Sequence, residues 1–316
     1  MGLPIIDISG MSSPDPAVRR AVGEALQAAC LEHGFFYCVG HGVPQGLIDA
    51  AMAETRALFD LPETAKDAVE KSLSPCNRGY EQLGGQTLQP GALPDRKEGY
   101  YIGEELSSLD ARVRAGKFNH GANQWPQGLP GFEPAMMAYF SALTVVGARL
   151  MRGMALSLDL DEGYFDFFTT QPMATLRLLH YPPARPDVPD EMGAGAHTDF
   201  GGLTILLQDM NGGLQVKDPH AAGWIDAPPI EGAYVVNLGD MISRWTNDRY
   251  VSTLHRVINT SGNERYSIPF FYTGNPDTEV TCIPTCLDAG ERAKYAPVTV
   301  LDHLRSMYRK TYVSKA

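Results

Sequence analysis

His197-Thr198-Asp199, then His255, then Arg265-Tyr266-Ser267 are the residues of this chain whose types and spacing point to chemistry. Two imidazoles and one carboxylate can hold one face of an octahedral metal and leave the other face open, which is the ligand set of non-heme Fe(II) oxygenases. Residues i and i+2 of an extended backbone point the same way, so His197 and Asp199 can reach one ion. His255 must arrive from a distant strand. His-x-Asp on its own is a common accident, and a lone histidine is commonly a core residue. The Arg-x-Ser that follows offers something a metal does not need: a rigid cationic fork and a hydroxyl on one strand face, suited to a carboxylate held in a pocket. A buried Arg265 without a counter-charge would be costly. Its partner is therefore either a local Asp or Glu or an acidic cosubstrate.

Arg177-Leu178-Leu179-His180-Tyr181-Pro182 reads as a strand ending at proline. Alternation places Arg177, Leu179 and Tyr181 on one face and His180 on the other. If Tyr181 faces the pocket, Arg177 becomes a candidate for a substrate anion; a surface arginine at a strand start is the alternative. His180 is not a ligand in this reading. Arg78 and Asn119 lie in an irregular stretch and hint at a polar or anionic small molecule. Cys282 and Cys286 have no second Cys/His pair at zinc-site spacing and read as structural.

The elements that must position these groups change character along the chain. In the first half helical patterns dominate. Val18–His33 repeats apolar residues at Val22, Ala25, Leu26 and Ala29 and stops at Gly34. Leu47–Phe59 is a second helix entered at Pro44, and Pro134–Leu158 is a long buried one. Ser72–Pro130 between them is rich in Gly, Pro and Asn, and long irregular stretches in compact proteins are often functional. The second half holds short β-branched runs: Ala174–Tyr181, Leu203–Gln208, Leu214–Lys217, Ala233–Leu238, Thr253–Asn259 and Tyr266–Thr273. Asn211-Gly212-Gly213 is a turn signal between two of them. Strands at this spacing suggest a sandwich or jelly roll, with a final helix over Val298–Tyr312. Both halves of the metal motif fall in this β-rich region.

The chain has 316 residues and a net charge of -11. That balance argues against nucleic acid or an anionic membrane as a partner, because both reward basic surfaces. No apolar run reaches the roughly 18 residues that span a bilayer, and the first ten residues lack the basic start of a secretory signal. Five scattered cysteines do not make a disulfide framework, which points to a reducing cytoplasmic location. No obligate protein partner is evident.

A set of blocks in fixed order resembles the isopenicillin N synthase-like branch of the Fe(II)/2-oxoglutarate-dependent dioxygenases. They begin with His33-Gly34-Phe35-Phe36-Tyr37-Cys38-Val39-Gly40-His41-Gly42-Val43, Asp95-Arg96-Lys97-Glu98 and Asn123-Gln124-Trp125-Pro126. They continue through His180-Tyr181-Pro182-Pro183, His197-Thr198-Asp199-Phe200-Gly201, Asn237-Leu238-Gly239-Asp240 and Trp245-Thr246-Asn247. They end at Ser252-Thr253-Leu254-His255-Arg256-Val257 and Arg265-Tyr266-Ser267. The resemblance implies a mainly β fold with flanking helices around a distorted double-stranded β-helix, the jelly roll. It implies one catalytic unit over residues 1–316, with a helical N-terminal region of non-haem dioxygenase type (1–160), a jelly-roll oxygenase core (161–300) and a C-terminal helix (298–312).

Carried over by position, the resemblance makes His197, Asp199 and His255 the iron ligands. Arg265 and Ser267 would anchor the distal carboxylate of 2-oxoglutarate, with Tyr181 assisting. The family often has Asn two residues before that tyrosine, where this chain has Leu179. Phe200 and Phe271 line the pocket by position, with a plain core role as the alternative for each. The implied cofactors are Fe(II), 2-oxoglutarate and O2. The implied reaction is oxidation, chiefly hydroxylation, of a C–H bond of a small-molecule metabolite with release of succinate and CO2. A ring-closing or desaturating oxidase of the same family, with or without 2-oxoglutarate, is the close alternative. A non-catalytic metal-dependent binding protein and a metallohydrolase stand further off. Ser72–Pro130, Tyr308 and Tyr312 are expected to shape the mouth.

Overall fold

Strands come from both halves of the chain. The computed structural model describes residues 2–312 apart from 186 and 189, with side chains as far as residue 309. Its strands are β1 (Ile5–Asp7), β2 (Phe35–Val39), β3 (Gly79–Glu81), β4 (Glu98–Ile102), β5 (Met173–Tyr181), β6 (Ala194–His197), β7 (Leu203–Gln208), β8 (Leu214–Lys217), β9 (Trp224–Asp226), β10 (Tyr234–Leu238), β11 (His255–Val257) and β12 (Arg265–Gly274), with β13 (Glu279–Val280) and β14 (Val298–Thr299) paired as a separate two-stranded sheet. Eight of them form one sheet in the order β1-β2-β10-β7-β12-β5-β4-β3, and four form a second sheet, β6-β11-β8-β9. The helices are α1 (Pro16–Glu32), α2 (Gln45–Phe59), α3 (Glu63–Asp67), α4 (Ala111–Arg114), α5 (Phe132–Ser157), α6 (Asp166–Thr169), α7 (Asp240–Trp245) and α8 (Val300–Tyr312). This is the jelly-roll arrangement, mainly sheet with flanking helices.

The N-terminal region is not simply helical, because β1 to β4 belong to the large sheet. The signal for β2 is hard to read. Phe35-Phe36-Tyr37-Cys38 is buried without alternation, and such a run does not separate a buried strand from a buried helix. Tertiary pairing decides it: β2 lies between β1 and β10. The stretch Ser72–Pro130 likewise contributes β3 and β4, which extend the sheet past β5.

Helix boundaries follow local chemistry. Asp15 accepts from the Ala17 N–H and Pro16 opens α1. The chain leaves that helix through Gly34 at φ 61°, where a Cβ would meet the Val251 carbonyl at 2.1 Å. By length and mean hydropathy α5 is apolar enough to cross a membrane, which the absence of an 18-residue apolar run did not suggest. Here it is the central core helix. It packs on α1, α2 and β12 and buries Phe132, Tyr139, Leu143, Leu150, Met151 and Met154. The Asn211-Gly212-Gly213 turn uses positive φ at both glycines, and it carries the chain from β7 in the large sheet to β8 in the small one. Strand β6 pairs antiparallel with β11, with His255 opposite His197.

Candidate metal centre and its cavity

That pairing brings the three expected ligands together. His197 ends β6, His255 opens β11, and Asp199 lies two residues past the end of β6 in the following loop. So a loop, not the i, i+2 geometry of a continuous strand, delivers the carboxylate. His197 Nε2 is 3.8 Å and His255 Nε2 is 3.9 Å from Asp199 Oδ1, and the ligand atoms of all three residues lie within 4.8 Å of one another. Each Nδ1 faces a backbone carbonyl: His197 that of Gly195 at 2.7 Å, His255 that of Thr253 at 3.1 Å. A carbonyl accepts only from N–H, so the proton sits on Nδ1 and the Nε2 lone pair points at the shared space. Asp199 Oδ2 accepts from Thr204 Oγ1 at 2.5 Å and Asn237 Nδ2 at 2.7 Å, leaving Oδ1 free toward the two imidazoles.

Electrostatics agree with a cation site. Burial, and next the neighbouring His255, push the His197 pKa well below the usual imidazole range. Burial alone would raise Asp199, but His255, His197 and the two hydrogen bonds hold it below the usual carboxylate range. Neutral imidazoles and an ionised carboxylate are the protonation states a divalent ion requires. The three residues fit Fe(II) by donor type and hydrogen-bonded support, and His197 and Asp199 also by protonation.

Arg265 is completely buried. Its Nε donates to the Gly212 carbonyl, Nη2 to Gln208 Oε1 at 2.9 Å, and Nη1 to Ser267 Oγ at 3.4 Å. Among the described residues no carboxylate pairs with it, so the local ion-pair alternative finds no partner. The Tyr181 ring lies under its guanidinium at 4.7 Å, and Arg265 stands opposite Tyr181 in the β12–β5 pairing. His180 faces away, as expected, between Glu98 and Glu264 at 2.6 Å each and stacked on Tyr266.

A cavity of about 660 Å³ opens beside His197 and Asp199. Phe200, Phe271, Arg177, Arg78 and Asn119 all line it, as do Tyr101, Phe118 and Tyr308; the Tyr312 side chain lies outside the described residues. Arg265, Ser267 and Tyr181 are buried and are not on its wall. Arg177 is neither a surface residue nor an open anchor. It is buried, and it donates to Glu81 at 2.7 Å and to Gln86 at 3.1 Å. Glu81 also takes Lys71 at 2.6 Å and the Tyr101 hydroxyl at 2.8 Å. Burial raises the Glu81 pKa, but Arg177 and Lys71 outweigh it and bring the carboxyl to about 2.

Sequence reasoning missed Glu81, Lys97 and Asp95 as parts of this assembly. Lys97 pairs with Asp95 in the interior, and burial lowers the lysine to about 8. Asp95 Oδ1 in turn accepts from the Gly195 N–H at 2.9 Å, fixing β6 two residues before His197. The Asp-x-Lys block was visible, but nothing local says that it clamps a strand one hundred residues away.

Residues 3–128 match the family described as non-haem dioxygenase in morphine synthesis N-terminal, and residues 172–274 match the 2OG-Fe(II) oxygenase superfamily. The chain is 44% identical to the 2-oxoglutarate-Fe(II) type oxidoreductase hxnY of Emericella nidulans, over 98% of this chain and 90% of that protein. It is 40% identical to a 2-oxoglutarate-Fe(II) type oxidoreductase of Aspergillus fumigatus, over 98% and 93%. A full-length Neurospora crassa protein crystallised with alpha-KG and thymine has a TM-score of 0.87 at 31% identity, covering 98% of this chain and 97% of that one. With its metal triad, jelly-roll core and relatives along nearly its whole length, the chain belongs to the 2OG-Fe(II) oxygenase superfamily.

Proposed function

We propose that this Fe(II)- and 2-oxoglutarate-dependent dioxygenase hydroxylates a C–H bond of a small polar or anionic molecule. The observation that carries the reading is two Nε2 atoms and one carboxylate oxygen converging, in a chain that also holds a fully buried arginine, Arg265, with no carboxylate partner among the described residues. His197, Asp199 and His255 would hold Fe(II), and Arg265 with Ser267 would hold the far carboxylate of 2-oxoglutarate. When bound, the ion with 2-oxoglutarate and O2 supplies the oxidising power, and the cosubstrate leaves as succinate and CO2.

The chain's own work is placement. The guanidinium of Arg265 is preset by Gly212 and Gln208, so little freedom is lost when a carboxylate docks there. The Tyr181 ring closes one side of that guanidinium. Phe200 and Phe271 put apolar surface on the wall shared with His197 and Asp199, which keeps water from the reacting carbon. A small-molecule substrate is supported by the cavity size and by the thymine in the Neurospora crassa structure. An anionic one is supported by charge. Arg78, Arg305 and Arg309 line the cavity beside Lys71 and Arg177, whose charges Glu81 answers, and among the described residues Asp199 is the one lining carboxylate, in a chain of net charge -11.

The test is stoichiometry. Enzyme supplied with Fe(II), 2-oxoglutarate and a turned-over substrate should form one succinate per O2 consumed, with oxygen incorporated into the product. His197→Ala should lose both iron binding and succinate formation. Normal succinate formation by that variant would sink the assignment.

A further inference from the structure

Three buried arginines surround this site, and their surroundings divide the work between them. Arg265 is buried beside Ser267. Arg177 has its charge answered by Glu81. Arg78 differs from both. It is 2% exposed and lines the cavity that His197 and Asp199 also line. Among the described residues it has no carboxylate at ion-pair distance. Its guanidinium makes one hydrogen bond among the described residues, from Nη2 to the Asn119 carbonyl at 2.8 Å, and its Nε is buried without a partner. Its electrostatic neighbours are the Cys76 thiol and the Tyr308 hydroxyl and then Glu105 and Glu104, and the two carboxylates are taken by Asn123 and Arg112. Burial accordingly lowers the Arg78 pKa.

The position of this guanidinium is built. Arg78 immediately precedes β3 and lies against the bare backbone of Gly103, where a Cβ would come within 1.9 Å of Nη2. Asn77 and Asn119, both at positive φ, are joined by a side-chain hydrogen bond of 2.7 Å, and this fixes the carbonyl that holds Nη2. Such a cation is retained only if something in the working protein neutralises it. Phe118, Tyr308, Phe200 and Phe271 supply flat apolar walls to the same cavity.

We infer that Arg78 is the specificity residue for the substrate, and that it binds a carboxylate carried on a planar, largely apolar body. This deepens the reading of the site as a dioxygenase and rests on it. Arg78 and Arg265 then hold two different carboxylates, that of the substrate and that of the cosubstrate. The arginine fork favours a carboxylate over its uncharged isostere because the amide cannot accept at both positions and carries no charge.

The test uses full-length enzyme loaded anaerobically with Fe(II) and saturating 2-oxoglutarate, so that Arg265 is already occupied. Calorimetric titration compares benzoate with benzamide and 1-naphthoate with 1-naphthamide. Each carboxylate should bind at least tenfold more tightly than its amide. Arg78→Gln should erase that preference, and Arg78→Lys should restore part of it. Gly103→Ala, which keeps the charge but displaces the guanidinium, should weaken the carboxylates at least tenfold. Equal affinity within both wild-type pairs, absence of saturable binding by both carboxylates, or a preference that survives Arg78→Gln would each overturn the inference. The wild-type comparison stands even if a variant fails to fold. Loss of 2-oxoglutarate binding by the wild type would instead strike at the dioxygenase reading itself.

Discussion

At the scale of single residues, charge accounting separates groups that look alike in the sequence. Arg265 is held in a preset fork, so exchanging it for lysine keeps the charge and loses the geometry. Arg265→Lys should raise the KM for 2-oxoglutarate by about tenfold to a hundredfold, in line with roughly 1.5–3 kcal/mol for a charge-assisted contact; succinate release against 2-oxoglutarate concentration reads this. Glu81 gives a pH signature. Its folded pKa of about 2 lies below the ordinary glutamate value of 4.5. The stability it contributes is therefore complete above about pH 4.5 and is lost as pH falls toward 2. Glu81→Gln should cost on the order of 3 kcal/mol at pH 7, and urea midpoints of the two proteins should converge between pH 5 and pH 2. The triad was legible in the sequence because few other uses call for those residue types together. Glu81 was not, because a carboxylate between Lys71 and Arg177 is created by the β3–β4–β5 pairing and leaves no local mark.

At the scale of elements, spacing and contact tell different parts of the story. The amphipathic pattern of α1 could be read directly, because one face of it answers to the core, and β7 and β10 could be read from β-branched runs bounded by turn residues. The doubly buried β2 could not, since its neighbours on both sides are set by distant pairing. Glycines in helices show the same limit. Gly147 in α5 looks like a weak point for helix formation, yet a Cβ there would meet the Tyr272 ring at 2.6 Å. The glycine lets the helix close onto β12. Gly147→Leu should therefore destabilise the protein by about 2 kcal/mol or more despite better helix propensity, measured as a lower urea midpoint. Asp199 shows the converse. The sequence suggests only extended backbone from His197 to Asp199, and the structure sets Asp199 in the loop after β6, where Thr204 and Asn237 hold it.

At the scale of the whole molecule, α8 returns the end of the chain to the cavity. Val300 and Leu304 are buried in the core, while Leu304, Arg305, Tyr308 and Arg309 face the cavity. Deleting residues 300–316 should lower Tm by about 5 °C or more from the lost apolar burial. It should weaken carboxylate probes and leave 2-oxoglutarate binding in place, because Arg265 and Ser267 lie elsewhere; calorimetry separates the two. The pairing of His197 with His255 has a consequence of another kind. The strands that carry them, β6 and β11, have four and three residues, and only the folded chain brings the two imidazoles together. An ion held there binds the native state alone and stabilises it by about 2.7 kcal/mol at a hundredfold excess over its Kd. The protein's resistance to cellular proteases is thereby tied to iron supply: an iron-starved cell would lose the polypeptide as well as its activity.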